Sequence, residues 1–160
     1  MLEKLIKYFA YATKGHITKT QLINFLYLAD LYSVKWTGKQ LSELDWYYYH
    51  NHPWHEHINT PLDNMNGKEI SIEIEFNTTF IKLGVKAGNI DDLQLPISLK
   101  LILDNIRREW CGSGRDKIKE LLDYIYSTTP IAEVKEKHKP EEKVKLNLQL
   151  EREQLVNELN

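Results

Sequence analysis

Apolar residues recur along the chain with two periods, and the change between them marks out the elements. Leu2, Leu5, Ile6 and Phe9 stand at helical spacing and predict a helix over residues 2 to 13, ended by a left-handed cap at Gly15. In "TKTQLINFLYLADLYSVKW", Thr18 and Gln21 make a capping-box pattern at the start of a second helix. Leu22, Phe25, Leu26, Ala29 and Tyr32 mark one face of it, and Ile23, Leu28 and Leu31 widen that face, as expected of a helix central to the core. Asp30 interrupts the apolar run and reads as an exposed charge, with a buried, hydrogen-bonded carboxylate as the alternative. Gly38 stops the helix.

"LDWYYYH" follows as a short aromatic strand or extended link. Alternation puts Trp46 and Tyr48 on one side and Tyr47 and Tyr49 on the other, so one set is expected in the core and the other at the surface. Pro53 suits the first turn of a new helix capped by Asn51 or His52, and Pro61 should break or restart it. The period then becomes two. Ile70, Ile72 and Ile74 alternate with glutamates, and Ile81, Leu83 and Val85 with lysines. This predicts a half-buried β-hairpin, turned at Asn77, with opposite charges paired across its solvent face.

Helical spacing returns in Leu99, Ile102, Leu103, Ile106 and Trp110 after Pro96, and again in Ile118, Leu121, Leu122 and Ile125 after a turn at Gly112–Gly114, with Pro130 beyond. From residue 133 the pattern weakens and charge rises. The closing "LQLEREQLVNELN" reads equally as a docking helix or a frayed tail. The fold expected is α+β and mainly α-helical: a helical bundle with one β-hairpin and a short aromatic strand. It is divided into a domain over 1–132 and a charged C-terminal extension over 133–160. There is no internal repeat.

Composition narrows the function. A formal charge of -2 gives no general attraction to nucleic acid or anionic membrane. The lone Cys111 allows no intrachain disulfide and fits a reducing compartment; no partner for a catalytic thiol is evident, and it reads as a small residue at a helix end. Glu3 and Lys4 come too early for a signal peptide, and no run approaches membrane-spanning length, so a cytoplasmic location is expected.

The candidate chemistry gathers in "WYYYHNHPWHEH", residues 46 to 57. His50, His52, His55 and His57, with Glu56, offer imidazoles for a metal. They lack the H-E-x-x-H spacing that stacks two ligands on one helical turn. The metal-dependent alternative would use His50, His52 and His57 with Glu56. Nucleic acid requires cations against phosphates, yet there is no Lys or Arg between Lys39 and Lys68. An aromatic, charge-poor surface suits a protein partner, since interfaces are enriched in Tyr and Trp.

The order of these pieces resembles the Panacea domain, the SocA-like antitoxin family. "FLYLAD" (Phe25 to Asp30) matches its early helix, Pro53 and Trp54 its aromatic-proline motif, and Tyr126, Thr129 and Pro130 its late turn. The likeness spans roughly residues 1 to 135. It departs where the family has Tyr-Gly before the proline and this chain has Asn51-His52. The resemblance implies an antitoxin-like module, of a kind found on phage and other mobile elements, that neutralises a toxin protein by binding it. Delivery of the toxin to a protease is the variant, with the tail after Glu133 as the contact. Neither a reaction nor a cofactor is implied. Tyr47, Tyr49, Trp54 and His55 are expected at or near the partner-binding surface.

Overall fold

The computed structural model describes residues 1–111 and 115–160; the turn expected at Gly112–Gly114 lies outside them. The fold is α+β and mainly helical, with two small antiparallel sheets. The chain forms two compact units: Met1–Leu26 with Glu56–Cys111, and Tyr27–His55 with Gly112–Asn160.

In the first unit, helix α1 (Leu2–Ala12) buries Leu5, Ile6 and Phe9, and Gly15 follows at φ +75°. A Cβ there would stand 2.7 Å from the Leu83 amide nitrogen, so close approach as well as backbone angle calls for glycine. Strand β1 (Ile17–Thr18) leads into helix α2 (Lys19–Thr37), whose residues to Leu26 belong to this unit. The capping box is present in full. The Gln21 amide donates to Thr18 Oγ1 at 3.1 Å, and the Thr18 amide donates to Gln21 Oε1 at 3.0 Å. Helix α3 (Asn59–Met65) holds Pro61 in its first turn, where the missing amide proton is no loss.

The predicted hairpin is β4 (Ile70–Glu75) and β5 (Thr78–Leu83), with β1 added beyond β5. Phe76 and Asn77 both have positive φ, as a two-residue type I′ loop requires. Lys82 reaches Glu73 at 2.7 Å and Glu75 at 3.0 Å, the expected charge pairing. Alternation does not fully predict burial, however: Ile70 is enclosed, while Ile74 near the tip is 72% exposed. Helix α4 (Ile97–Trp110) closes the unit with Leu99, Leu103 and Ile106 buried. α1 packs against α3, α4 and β5.

The second unit contains the rest of α2, which ends at Thr37 before Gly38 (φ +81°). The helix expected at Pro53 does not form. Strand β2 (Tyr47–Tyr49) turns back instead into β3 (His52–Trp54), giving a second hairpin. Its two-residue loop is His50 and Asn51, at φ 50° and 64°. Both loop residues take the left-handed backbone, and asparagine and histidine enter that region more often than most residue types, while His52, where the resembling family has glycine, does not take it. Pro53 sits in an edge strand, where its lack of an N–H does no harm.

Helices α5 (Arg115–Ser127) and α6 (Thr129–Ala132) follow, α6 with Pro130 at its start. The charged extension is ordered. Strand β6 (Val144–Lys145) pairs with Tyr48 and Tyr47, and helix α7 (Gln149–Leu159) follows with Leu146 and Leu148 buried ahead of it. Arg152 donates to the Lys35 carbonyl at 3.0 Å, and Gln149 to that of Gly38 at 3.0 Å.

Candidate functional site

The floor of the site is set by one buried carboxylate. Asp30 is 1% exposed, so the expectation of an exposed charge is overturned. A polar group inside a protein must be hydrogen-bonded, and this one meets four donors. One oxygen accepts the amides of Leu41 (3.0 Å) and Ser42 (2.9 Å), and the other accepts the Ser42 hydroxyl and Trp46 Nε1 (2.8 Å). These bonds fasten the segment after α2 to the helix and fix the Trp46 indole. Burial raises the Asp30 carboxyl above its ordinary value, against the hydrogen bonds from Ser42, Trp46 and Leu41, which lower it.

Tyr27, one turn earlier on α2, stands edge-on to Trp46 with centroids 5.6 Å apart, and its hydroxyl meets Thr128 Oγ1 at 2.9 Å. Burial pushes the Tyr27 phenol far up. The His55 ring also stands edge-on to Trp46, with centroids 4.7 Å apart. His55 is 3% exposed. Its expected place at the contact surface is therefore corrected: strand β3 ends by turning this ring inward beneath the sheet.

With Trp46 and Tyr48 turned inward, β2 presents Tyr47 and Tyr49 on its outer face. The register sets Tyr47 opposite Trp54, and all three rings are half-buried. Trp54 lies between the two tyrosines, 6.3 Å from Tyr47 and 5.5 Å from Tyr49, steeply inclined to both. Edge-to-face contact of this kind aligns ring edges with neighbouring π faces. His50, on the loop, tilts against Tyr49 with centroids 4.1 Å apart. Three of the four expected residues thus form one outward aromatic face.

Lys143 completes this face and was missed in the sequence. Its Nζ lies 4.1 Å from the Trp54 ring centroid and 5.2 Å from that of Tyr47. The signal was available: in "KVKLNL", Lys143 and Lys145 alternate with Val144, Leu146 and Leu148 in the period of a half-buried strand.

The histidines do not assemble as the metal alternative requires. His50, His52 and His57 are each exposed. Among the described residues, no group of three or more His, Cys, Asp or Glu side chains is placed to share an ion. Cys111 is half-buried, and burial pushes its thiol up to about 12, which opposes thiolate chemistry. No helix among the described residues is long and apolar enough to cross a membrane.

Comparison with known protein families, curated proteins and solved structures finds no match.

Proposed function

We propose that this chain is an antitoxin-like binding module of the Panacea type, acting in the cytoplasm, which neutralises a toxin protein by direct contact through the aromatic face of Tyr47, Tyr49 and Trp54. The observation that carries the reading is that face. Three large rings are gathered on the outer side of a small sheet whose inner side is fastened by Trp46 to Asp30. Aromatic anchors on a rigid support bring contact area at little cost in side-chain entropy. The resembling positions also cooperate within one unit: Tyr27 and Asp30 both engage Trp46, and Thr128, beside Thr129 and Pro130, holds the Tyr27 hydroxyl. No reaction, membrane partner or nucleic-acid partner belongs to this reading.

Co-expression with the product of the neighbouring gene tests it. That product is expected to be toxic alone, harmless in the presence of this chain, and to co-purify with it. Replacing Tyr47, Tyr49 or Trp54 individually with Ala should weaken the complex by more than about 1 kcal/mol, read by calorimetry. A non-toxic neighbour that never co-purifies sinks the proposal, and full affinity in all three variants moves the interface elsewhere.

A further inference from the structure

Lys143 shows which chemistry the aromatic face accepts. A ring carries negative charge on its faces and draws a cation within about 6 Å of its centroid. Lys143 Nζ satisfies that distance for two rings at once, 4.1 Å from Trp54 and 5.2 Å from Tyr47. The residue precedes the two that pair in β6, so its flexible stem can leave the rings while Val144 and Lys145 keep their register with β2. The side chain is also at the surface, in contact with solvent that can receive it.

We propose that Tyr47, Tyr49 and Trp54 form a cage for a Lys or Arg side chain of a protein partner. Lys143 is the resident occupant that the partner displaces. This rests on the reading of that face as the partner-binding surface, and it adds the chemistry of the group received. Asp45 pairs with Lys145 at 3.4 Å and Glu142 with His138 at 3.0 Å, so two basic groups of this segment other than Lys143 are held by carboxylates of their own. Arginine is the better competitor, because its planar guanidinium lies flat on a ring and is less strongly hydrated than an ammonium.

The test uses the full chain labelled with 15N, with the Trp54 indole signal assigned by its loss in Trp54→Phe. Wild type, Lys143→Ala and Lys143→Gln are titrated with N-acetyl-argininamide and with its uncharged citrulline analogue. The Trp54 signal should move about two- to fivefold more steeply with the arginine probe in both Lys143 variants than in wild type. The citrulline analogue should leave it in place. Equal slopes in all three proteins, or an equal response to the neutral analogue, overturns the cage. Lys143→Gln preserves the bulk of the side chain should Lys143→Ala disturb β6. Where the neighbouring gene product binds, Lys143→Ala should tighten the complex about two- to fivefold, and unchanged or weaker binding overturns displacement. A neighbour that is neither toxic nor bound defeats the antitoxin reading alone, because the arginine titration judges the cage without it.

Discussion

Replacing Asp30 tests how the aromatic sheet is held. In Asp30→Ala the amides of Leu41 and Ser42 and the Trp46 indole lose their acceptor together, and only the Ser42 hydroxyl can rotate to a new one. A buried donor without a partner costs about 1–3 kcal/mol. Leu41 is half-buried, so water can reach its amide, whereas Ser42 and Trp46 are enclosed. The expected loss of unfolding free energy is therefore about 3–5 kcal/mol for Asp30→Ala, and about 2 kcal/mol for Asp30→Asn, which retains one acceptor oxygen. Urea unfolding followed by tryptophan emission measures both, with Trp46 as an internal reporter. The pH dependence adds a second readout. Burial raises the Asp30 carboxyl above 3.8 in the folded state. Folding is therefore favoured most when the group is protonated, and that contribution is lost as pH climbs from 3.8 through the raised folded value. Wild type should lose stability relative to Asp30→Asn across that window, since the amide does not titrate. A loss below about 1 kcal/mol in Asp30→Ala, or parallel pH profiles for wild type and Asp30→Asn, would refute the account.

Three further outcomes are expected. Gly84→Ala should lower stability by about 2–3 kcal/mol in thermal unfolding because of overpacking; its Cβ would lie 2.1 Å from the Lys68 carbonyl oxygen and 2.6 Å from that of Ile70. Phe76→Asn should raise stability by about 0.5–1 kcal/mol, since asparagine accepts the left-handed turn more readily than phenylalanine; Phe76 is fully exposed there, and an unchanged midpoint would count against backbone strain at this position. Cys111 should react with iodoacetamide at pH 8 at least about tenfold more slowly than a free cysteine peptide, and equal rates would contradict the elevation of its thiol.

The elements with a clean period were legible. The β4–β5 hairpin announced itself through isoleucines alternating with charges, and α2 through Thr18 and Gln21, because these signals act between residues close in sequence. Alternation also separated Trp46 and Tyr48 from Tyr47 and Tyr49, but which pair turns inward is decided by contacts from distant segments, such as that of Asp30 with Trp46. Elsewhere the deciding interactions are distant in sequence or ambiguous. Pro53 fits a helix start as well as an edge strand, and only the positive φ at His50 and Asn51 separates the two. Asp30 looked like a surface charge because its partners, Leu41 to Trp46, lie beyond the helix end. His55 follows Trp54 directly in sequence, but the turn of the chain after β3 sends it inward. Lys143 could not be joined to Trp54 from sequence spacing, since their meeting depends on β6 finding β2.

That third strand has a consequence for timing. The β2–β3 hairpin is complete in sequence at Trp54, but the segment that borders it arrives only with Lys145, about ninety residues later. At ribosomal speeds of roughly 5–20 residues per second, the bare two-stranded ribbon exists for roughly 5–20 s during translation. Such a ribbon is marginal alone, so the nascent chain passes through an interval in which its rings are made but not yet aligned. The aligned aromatic face is in that sense assembled only after Val144 and Lys145 have been made.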